Sequence, residues 1–138
     1  MAKRKNVEHN CYELVFAAAF CDIDGLDKNK LNETTLDGFT PPIVCTEGDF
    51  KKYKEDLMTR REREVSNFII NLKKSSFLNE MKNISKIYLE GKYLKTQILK
   101  DLNKNCKIPK ADVYFELNTG EIIGISVKQN TQCTKTNL

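Results

Sequence analysis

One stretch near the end of the chain, residues 112–128, constrains the fold more than any other part of the sequence. Within it, two runs alternate between apolar and polar residues, which is the period of a half-buried β-strand, and Asn118-Thr119-Gly120 separates them. A three-residue hairpin loop commonly ends in a left-handed residue, a conformation that glycine adopts without a Cβ clash. Gly120 occupies that place, so the sequence predicts a β-hairpin with a three-residue loop.

The loop length also predicts which residues face each other across the hairpin. Phe115 should pair with Ile123 and Val113 with Ile125, because a two-residue loop would shift the pairing by one and mix the two faces. The predicted core face contains Val113, Phe115, Leu117, Ile123, Ile125 and Val127. The predicted polar face contains Asp112, Tyr114, Glu116, Gly124, Ser126 and Lys128.

Three residues of the polar face should meet at the open end of the hairpin. Directly opposed side chains on neighbouring strands lie about 5 Å apart, which brings Asp112, Ser126 and Lys128 together. A carboxylate, a hydroxyl and an ammonium in that position can hold a hard cation and a water.

This pattern resembles the PD-(D/E)xK nuclease superfamily, and within it the type II restriction endonucleases. The family signature is an acid at the start of one strand, followed by an acid-x-Lys triplet on the next. Lys110-Ala111-Asp112 corresponds to the first part and Ser126-Val127-Lys128 to the second. Ser126 departs from the pattern, since most members carry Glu or Asp there, although some restriction endonucleases have a neutral Asn, Gln or Ser.

A glutamate near the start of the chain adds to the resemblance. Residues 12–20 predict a buried helix that is apolar nearly all round, and Glu13 is its one charge. Many nucleases of this family carry a glutamate on the first core helix beside the metal site, often after an aromatic residue, as in Tyr12-Glu13. A capping box is the alternative, in which Asn10 caps the helix and Glu13 reaches back to its amide.

The resemblance implies a magnesium-dependent endonuclease that hydrolyses phosphodiester bonds in DNA, as a type II restriction endonuclease does. Asp112 would bind Mg²⁺ with the backbone carbonyl of Val127, and with Glu13 through water. Lys128 would orient the attacking water, and Ser126 would at most hold a water. Double-stranded DNA is the implied partner, and a homodimer is possible because restriction-type enzymes usually dimerise on a palindrome.

The implied fold is α+β, a restriction-endonuclease-like core. Its small, mostly antiparallel sheet would consist of the hairpin 112–128 and a strand near residues 86–89, flanked by helices. Residues 131–138 are too few to form the helix and further strand that normally follow the lysine. The resemblance therefore implies either a minimal core or a truncated form whose sheet lacks a strand.

Outside the hairpin, hydrophobic spacing predicts a long helical region over residues 47–74 with a break near Ser66, and a helix over 93–103. Residues 22–46 are predicted to be a polar connection that Pro41-Pro42 closes. At 138 residues the chain is one domain by size.

Charge and cysteine content narrow the range of functions. The net charge is +4 and most basic residues follow position 50, which suits a polyanion partner, although a solvated surface explains the bias equally well. Five cysteines without a CxxC pair, and one histidine, disfavour a zinc site and indicate reduced thiols in an intracellular, cytoplasmic protein. No apolar run approaches the roughly 20 residues that span a membrane.

Two other classes of function stay open. A catalytically inactive or truncated nuclease relative would only bind nucleic acid through its basic helices. A structural or interaction protein would instead use Asp112 and Lys128 as an exposed ion pair, worth less than about 1 kcal/mol.

Overall fold

The structure, a computed structural model, describes residues 9–76, 80–90, 93–106, 109 and 111–128, together with the backbone of 134–136. The fold is α+β. Within the described residues, the helices include α1 (Cys11–Ala19), α2 (Lys28–Glu33), a 3-10 helix (Leu36–Gly38), α3 (Glu47–Thr59), α4 (Glu62–Lys74) and α5 (Gln97–Leu102). Its strands are β1 (Ile43–Val44), β2 (Ile84–Tyr88), β3 (Val113–Leu117), β4 (Ile122–Ser126) and β5 (Thr134–Thr136).

The strands form one mixed sheet in the order β1-β2-β3-β4-β5. β1 runs parallel to β2, because α3 and α4 lie between them in the chain and return it to the same end of the sheet. The other neighbours are antiparallel. β2 confirms the strand expected near residues 86–89, and it pairs antiparallel with β3, with Ile87 opposite Phe115.

The hairpin forms in the predicted register, with Phe115 opposite Ile123 and Val113 opposite Ile125. Gly120 has a φ of +92°, in the region that favours glycine, and its N–H donates to the carbonyl of Leu117 at 2.9 Å. The local pattern was therefore sufficient to predict both the turn and the pairing.

The larger hydrophobic core lies on the predicted core face of the hairpin. Val113, Phe115 and Ile125 are fully buried there beneath α1, where Phe16 and Phe20 contact Phe115 with ring centroids 5.9 and 4.8 Å apart. α3 and α4 pack on α1 from outside, as in the contact of Tyr12 with Phe68 at 4.8 Å.

The opposite face of the sheet is not the open polar surface that the alternation predicts. Tyr114 is 1% exposed and forms a second, smaller apolar cluster with Tyr88, Leu99 and Ala111. α5 supplies Leu99 and so covers this face. The alternation predicts the correct face for Tyr114, but its prediction that this face is exposed to solvent is wrong. The period of a strand identifies which side chains share a face, and it does not identify the helix that covers that face.

Several element boundaries also differ from the predictions. The long helical region breaks at Arg60-Arg61, and Ser66 lies inside α4. The connection over residues 22–46 contains α2, the 3-10 helix and β1. β5 pairs with β4, Ser126 opposite Thr134, so the sheet has a strand after the lysine where the short tail predicted none.

Candidate active site at the open end of the hairpin

Asp112 lies directly before β3, and its carboxylate turns towards the end of β4. Its Oδ2 accepts a hydrogen bond from the backbone N–H of Val127 at 2.8 Å. The carboxylate is half-buried and lies against the backbone between Ser126, which is also half-buried, and the exposed Lys128. The structure therefore brings Asp112 to the Ser126-Val127-Lys128 triplet.

A local irregularity in the ladder helps to aim this side chain. Val113 pairs with Ile125, yet the N–H of Asp112 also donates to the carbonyl of Ile125 at 2.9 Å. Two consecutive residues thus oppose one, as at a β-bulge, a feature that redirects side chains at strand ends. Since Asp112 is displaced from simple pairing, its carboxylate takes the N–H of Val127 that the ladder would otherwise satisfy.

Glu13 lies in the first turn of α1 and is half-buried. Its Oε1 accepts a hydrogen bond from the hydroxyl of Tyr53 on α3 at 3.2 Å. Burial, and next the charge of Glu13, raise the pKa of Tyr53, so this hydroxyl stays a proton donor. Asn10 caps α1, as the capping-box alternative expects, and its side chain accepts from the N–H of Tyr12 at 2.9 Å. The hydrogen bond from Tyr53 connects Glu13 to α3. The hydrogen bond of Asp112 connects it instead to Val127, directly after β4.

Glu90, which no sequence motif indicated, lies at the same end of the sheet. Tyr88 pairs with Tyr114, so residues just after β2 and just before β3 share that end. The buried Glu90 carboxylate accepts from the N–H groups of Lys95 and Thr96, both at 3.0 Å, and from the hydroxyl of Thr96. It therefore anchors the segment that begins α5. The sequence signal that could have indicated Glu90 is its position directly after the apolar run Ile87-Tyr88-Leu89.

A second polar network begins at Lys95. Its ammonium contacts Asp49 Oδ2 at 2.5 Å, and Asp49 Oδ1 lies 2.9 Å from Nε2 of His9. Burial opposes ionisation of Asp49, but hydrogen bonds from Lys95, His9 and Thr46 outweigh it and lower the pKa of the carboxyl. Some 40 residues separate His9 from Asp49, so no local pattern could predict the contact.

His9 continues this network towards α1. Its ring packs edge-on against Tyr53 with centroids 5.0 Å apart, and Tyr53 donates to Glu13. A series of contacts thus connects Lys95, before α5, to Glu13 on α1. It passes through Asp49, His9 and Tyr53. The network holds Glu13 in place from the side of α3.

The cysteines in the described part of the chain, Cys11, Cys21, Cys45 and Cys106, are free thiols, and Cys133 lies outside the described residues. Burial raises the pKa of Cys21 and of Cys45 to about 12. A thiol with such a pKa is protonated near neutral pH and is a weak nucleophile.

The donors at the predicted metal site are oxygens. Mg²⁺ keeps several waters and is bound by one or two carboxylates, so Asp112 and a carbonyl suit it. Across the described ranges no three His, Cys, Asp or Glu side chains form a metal-binding group. The predicted magnesium site contains only two such side chains, Asp112 and Glu13, and its third ligand is the backbone carbonyl oxygen of Val127.

None of the helices in the part of the chain that the structure describes combines the length and apolar character needed to cross a membrane.

Comparisons of this chain with protein-family models, with curated proteins and with solved structures find no significant match.

Proposed function

We propose that this protein is a magnesium-dependent nuclease of restriction-endonuclease-like architecture that hydrolyses phosphodiester bonds in DNA at the open end of the hairpin. The observation that carries the proposal is the position of the Asp112 carboxylate, 2.8 Å from the backbone N–H between Ser126 and Lys128. An acid and an amine that are 16 residues apart in the chain thereby share one strand end.

The chain's own groups have distinct roles in this proposal. The hydrogen bond to Oδ2 orients the Asp112 carboxylate, so that it can present an oxygen to a cation. The exposed Lys128 can reach a phosphate from solvent, orient the attacking water and offset the charge that builds on the phosphate. A bound Mg²⁺ would polarise the phosphate and lower the pKa of a coordinated water.

Ser126 leaves the site one carboxylate short of the common pattern. A hydroxyl is a weaker ligand for a hard cation than a carboxylate, so the proposal includes weak magnesium affinity. Glu13 would enter through a water, and its carboxylate accepts the hydroxyl of Tyr53 at 3.2 Å.

The test is a cleavage assay on DNA of mixed sequence that includes duplex and single-stranded regions, with and without Mg²⁺. Asp112→Ala and Lys128→Ala should abolish magnesium-dependent cleavage. Two matched controls, Asp24→Ala and Lys86→Ala, remove an exposed acid and an exposed lysine elsewhere in the chain and should leave cleavage unchanged.

The same assay separates the alternatives. A protein that only binds nucleic acid would retain DNA equally in its native and Asp112→Ala forms, and neither would cleave it. A structural protein would show neither cleavage nor the steep salt dependence of phosphate contacts. Cleavage that survives both site substitutions would exclude this hairpin end as the active site.

A further inference from the structure

The positive charge of the chain is concentrated in one segment. Residues 92–110 contain six lysines and one aspartate, a formal charge of +5, whereas the whole chain carries +4. The remainder is therefore close to neutral. Such a concentration is typical of a polyanion-binding surface rather than of evenly distributed solubilising charge.

The described part of this segment also exposes apolar side chains among the lysines. Tyr93 is 67% exposed and Ile98 is 41% exposed, although α5 buries its other face through Leu99. Lys100 and Lys104 are both exposed, the first in the last turn of α5 and the second two residues after the helix ends. The outer surface thus combines an aromatic ring, an aliphatic side chain and ammonium groups.

This surface lies beside the proposed active site. The chain before α5 is anchored by Glu90, at the sheet end where Asp112 directly precedes β3. At the other end of α5, the side-chain amide of Asn103 donates to the hydroxyl of Tyr114 at 3.0 Å, and the N–H of Ala111 donates to the same hydroxyl at 3.2 Å. The C-terminal end of α5 is therefore attached to residues that flank Asp112, and its N-terminal end is attached to Glu90 at the same end of the sheet.

We infer that the described residues 93–104 bind a single-stranded stretch of nucleic acid and lead it to the hairpin end. The ring of Tyr93 can stack on an unpaired base, whereas the bases of a duplex are stacked on each other and present no free face. Lys100 and Lys104 would contact the phosphates of the same strand. The role in guiding a substrate rests on the proposed function, but the binding itself does not.

The test is fluorescence anisotropy in EDTA, without metal, with a labelled single-stranded 20-mer and the matching duplex. Native protein should bind the single strand more tightly. Tyr93→Ala should weaken that binding at least about fivefold, since stacking contributes about 1–3 kcal/mol per base, and Tyr93→Phe should retain it. Thermal melting should be unchanged in both variants, because the side chain is mostly exposed.

The lysines are tested through the salt dependence of binding. The double variant Lys100→Gln/Lys104→Gln should reduce the slope of log affinity against log salt by about 1.4, about 0.7 for each lost single-strand phosphate contact. The matched control is Lys73→Gln/Lys74→Gln, which removes two exposed lysines from the last turn of α4 and should leave the slope unchanged.

Three results would overturn the inference: tighter binding of the duplex, equal binding by native protein and Tyr93→Ala, or the same slope change in both lysine pairs. Because the assay contains no metal, its outcome is independent of catalysis. If the protein binds the single strand but does not cleave DNA, the binding surface is supported and the nuclease proposal is rejected. If it cleaves DNA but Tyr93→Ala does not weaken binding, the nuclease proposal is supported and the binding surface is rejected.

Discussion

The carboxylate of Asp112 and the backbone N–H of Val127 are joined by a 2.8 Å hydrogen bond across the open end of the hairpin. The bond gives the side chain a structural role as well as its proposed catalytic one. Removal of the carboxylate leaves a half-buried N–H without this acceptor, whereas removal of its charge alone does not. The two roles can therefore be separated by choice of substitution.

Asp112→Asn should abolish magnesium-dependent cleavage with little change in the free energy of unfolding, because the amide oxygen still accepts from Val127. Asp112→Ala should also abolish cleavage but lower the free energy of unfolding by about 1–2 kcal/mol. Urea unfolding and the cleavage assay measure the two effects. Equal stability of the two variants would show that the hydrogen bond contributes little.

The loop glycine is expected to be sensitive to substitution through the backbone alone. An added Cβ at Gly120 meets nothing within 4 Å, but the φ of +92° is strained for any other residue. Gly120→Ala should lower the free energy of unfolding by about 1–2 kcal/mol.

The control is Gly48→Ala, which adds a Cβ in equally open space within α3 and should stabilise the protein slightly. Thermal unfolding of both variants makes the comparison. Similar melting temperatures would contradict a strained conformation at Gly120.

The ion pairs of Asp49 should make stability depend on pH in the acid range. The folded-state pKa of Asp49 is lowered, so its stabilisation is present above the unfolded-state pKa and is lost as the pH falls through the folded-state value. Asp49→Asn should lower the free energy of unfolding by about 1–3 kcal/mol at pH 6.

Because the carboxylate of the native protein becomes protonated in acid, the difference between the two proteins should shrink below a pH of about 4. Urea unfolding at a series of pH values measures it. A difference that stays constant down to pH 2 would show that the contacts with Lys95 and His9 do not depend on the charge of Asp49.

The half-buried thiols of Cys21 and Cys45 should react slowly with thiol reagents. With the pKa of Cys21 and Cys45 raised to about 12, the thiolate fraction grows about tenfold per pH unit between pH 7 and 9. Labelling followed by peptide mass spectrometry should show this increase for both residues. A labelling rate that begins to level off near a pH of about 8.5, the behaviour of an ordinary cysteine, would show that burial does not suppress ionisation.

Local patterns were enough to predict α1, the strand β2 and the whole hairpin, including its register. These features depend on contacts between residues close in sequence: a period of two along each strand, and a glycine where the loop needs a positive φ. The same patterns grouped Asp112 with Ser126 and Lys128, because an antiparallel pair brings distant residues together by simple counting from the turn.

What local patterns could not predict depends on contacts between elements. α5 covers Tyr114, Glu90 anchors the segment before α5, and His9 reaches Asp49 across some 40 residues. Each of these follows from where whole helices dock on the sheet, which is decided by the summed burial of both sheet faces. The hairpin is therefore predictable from its own residues, whereas the burial and the neighbours of its open end are properties of the assembled fold.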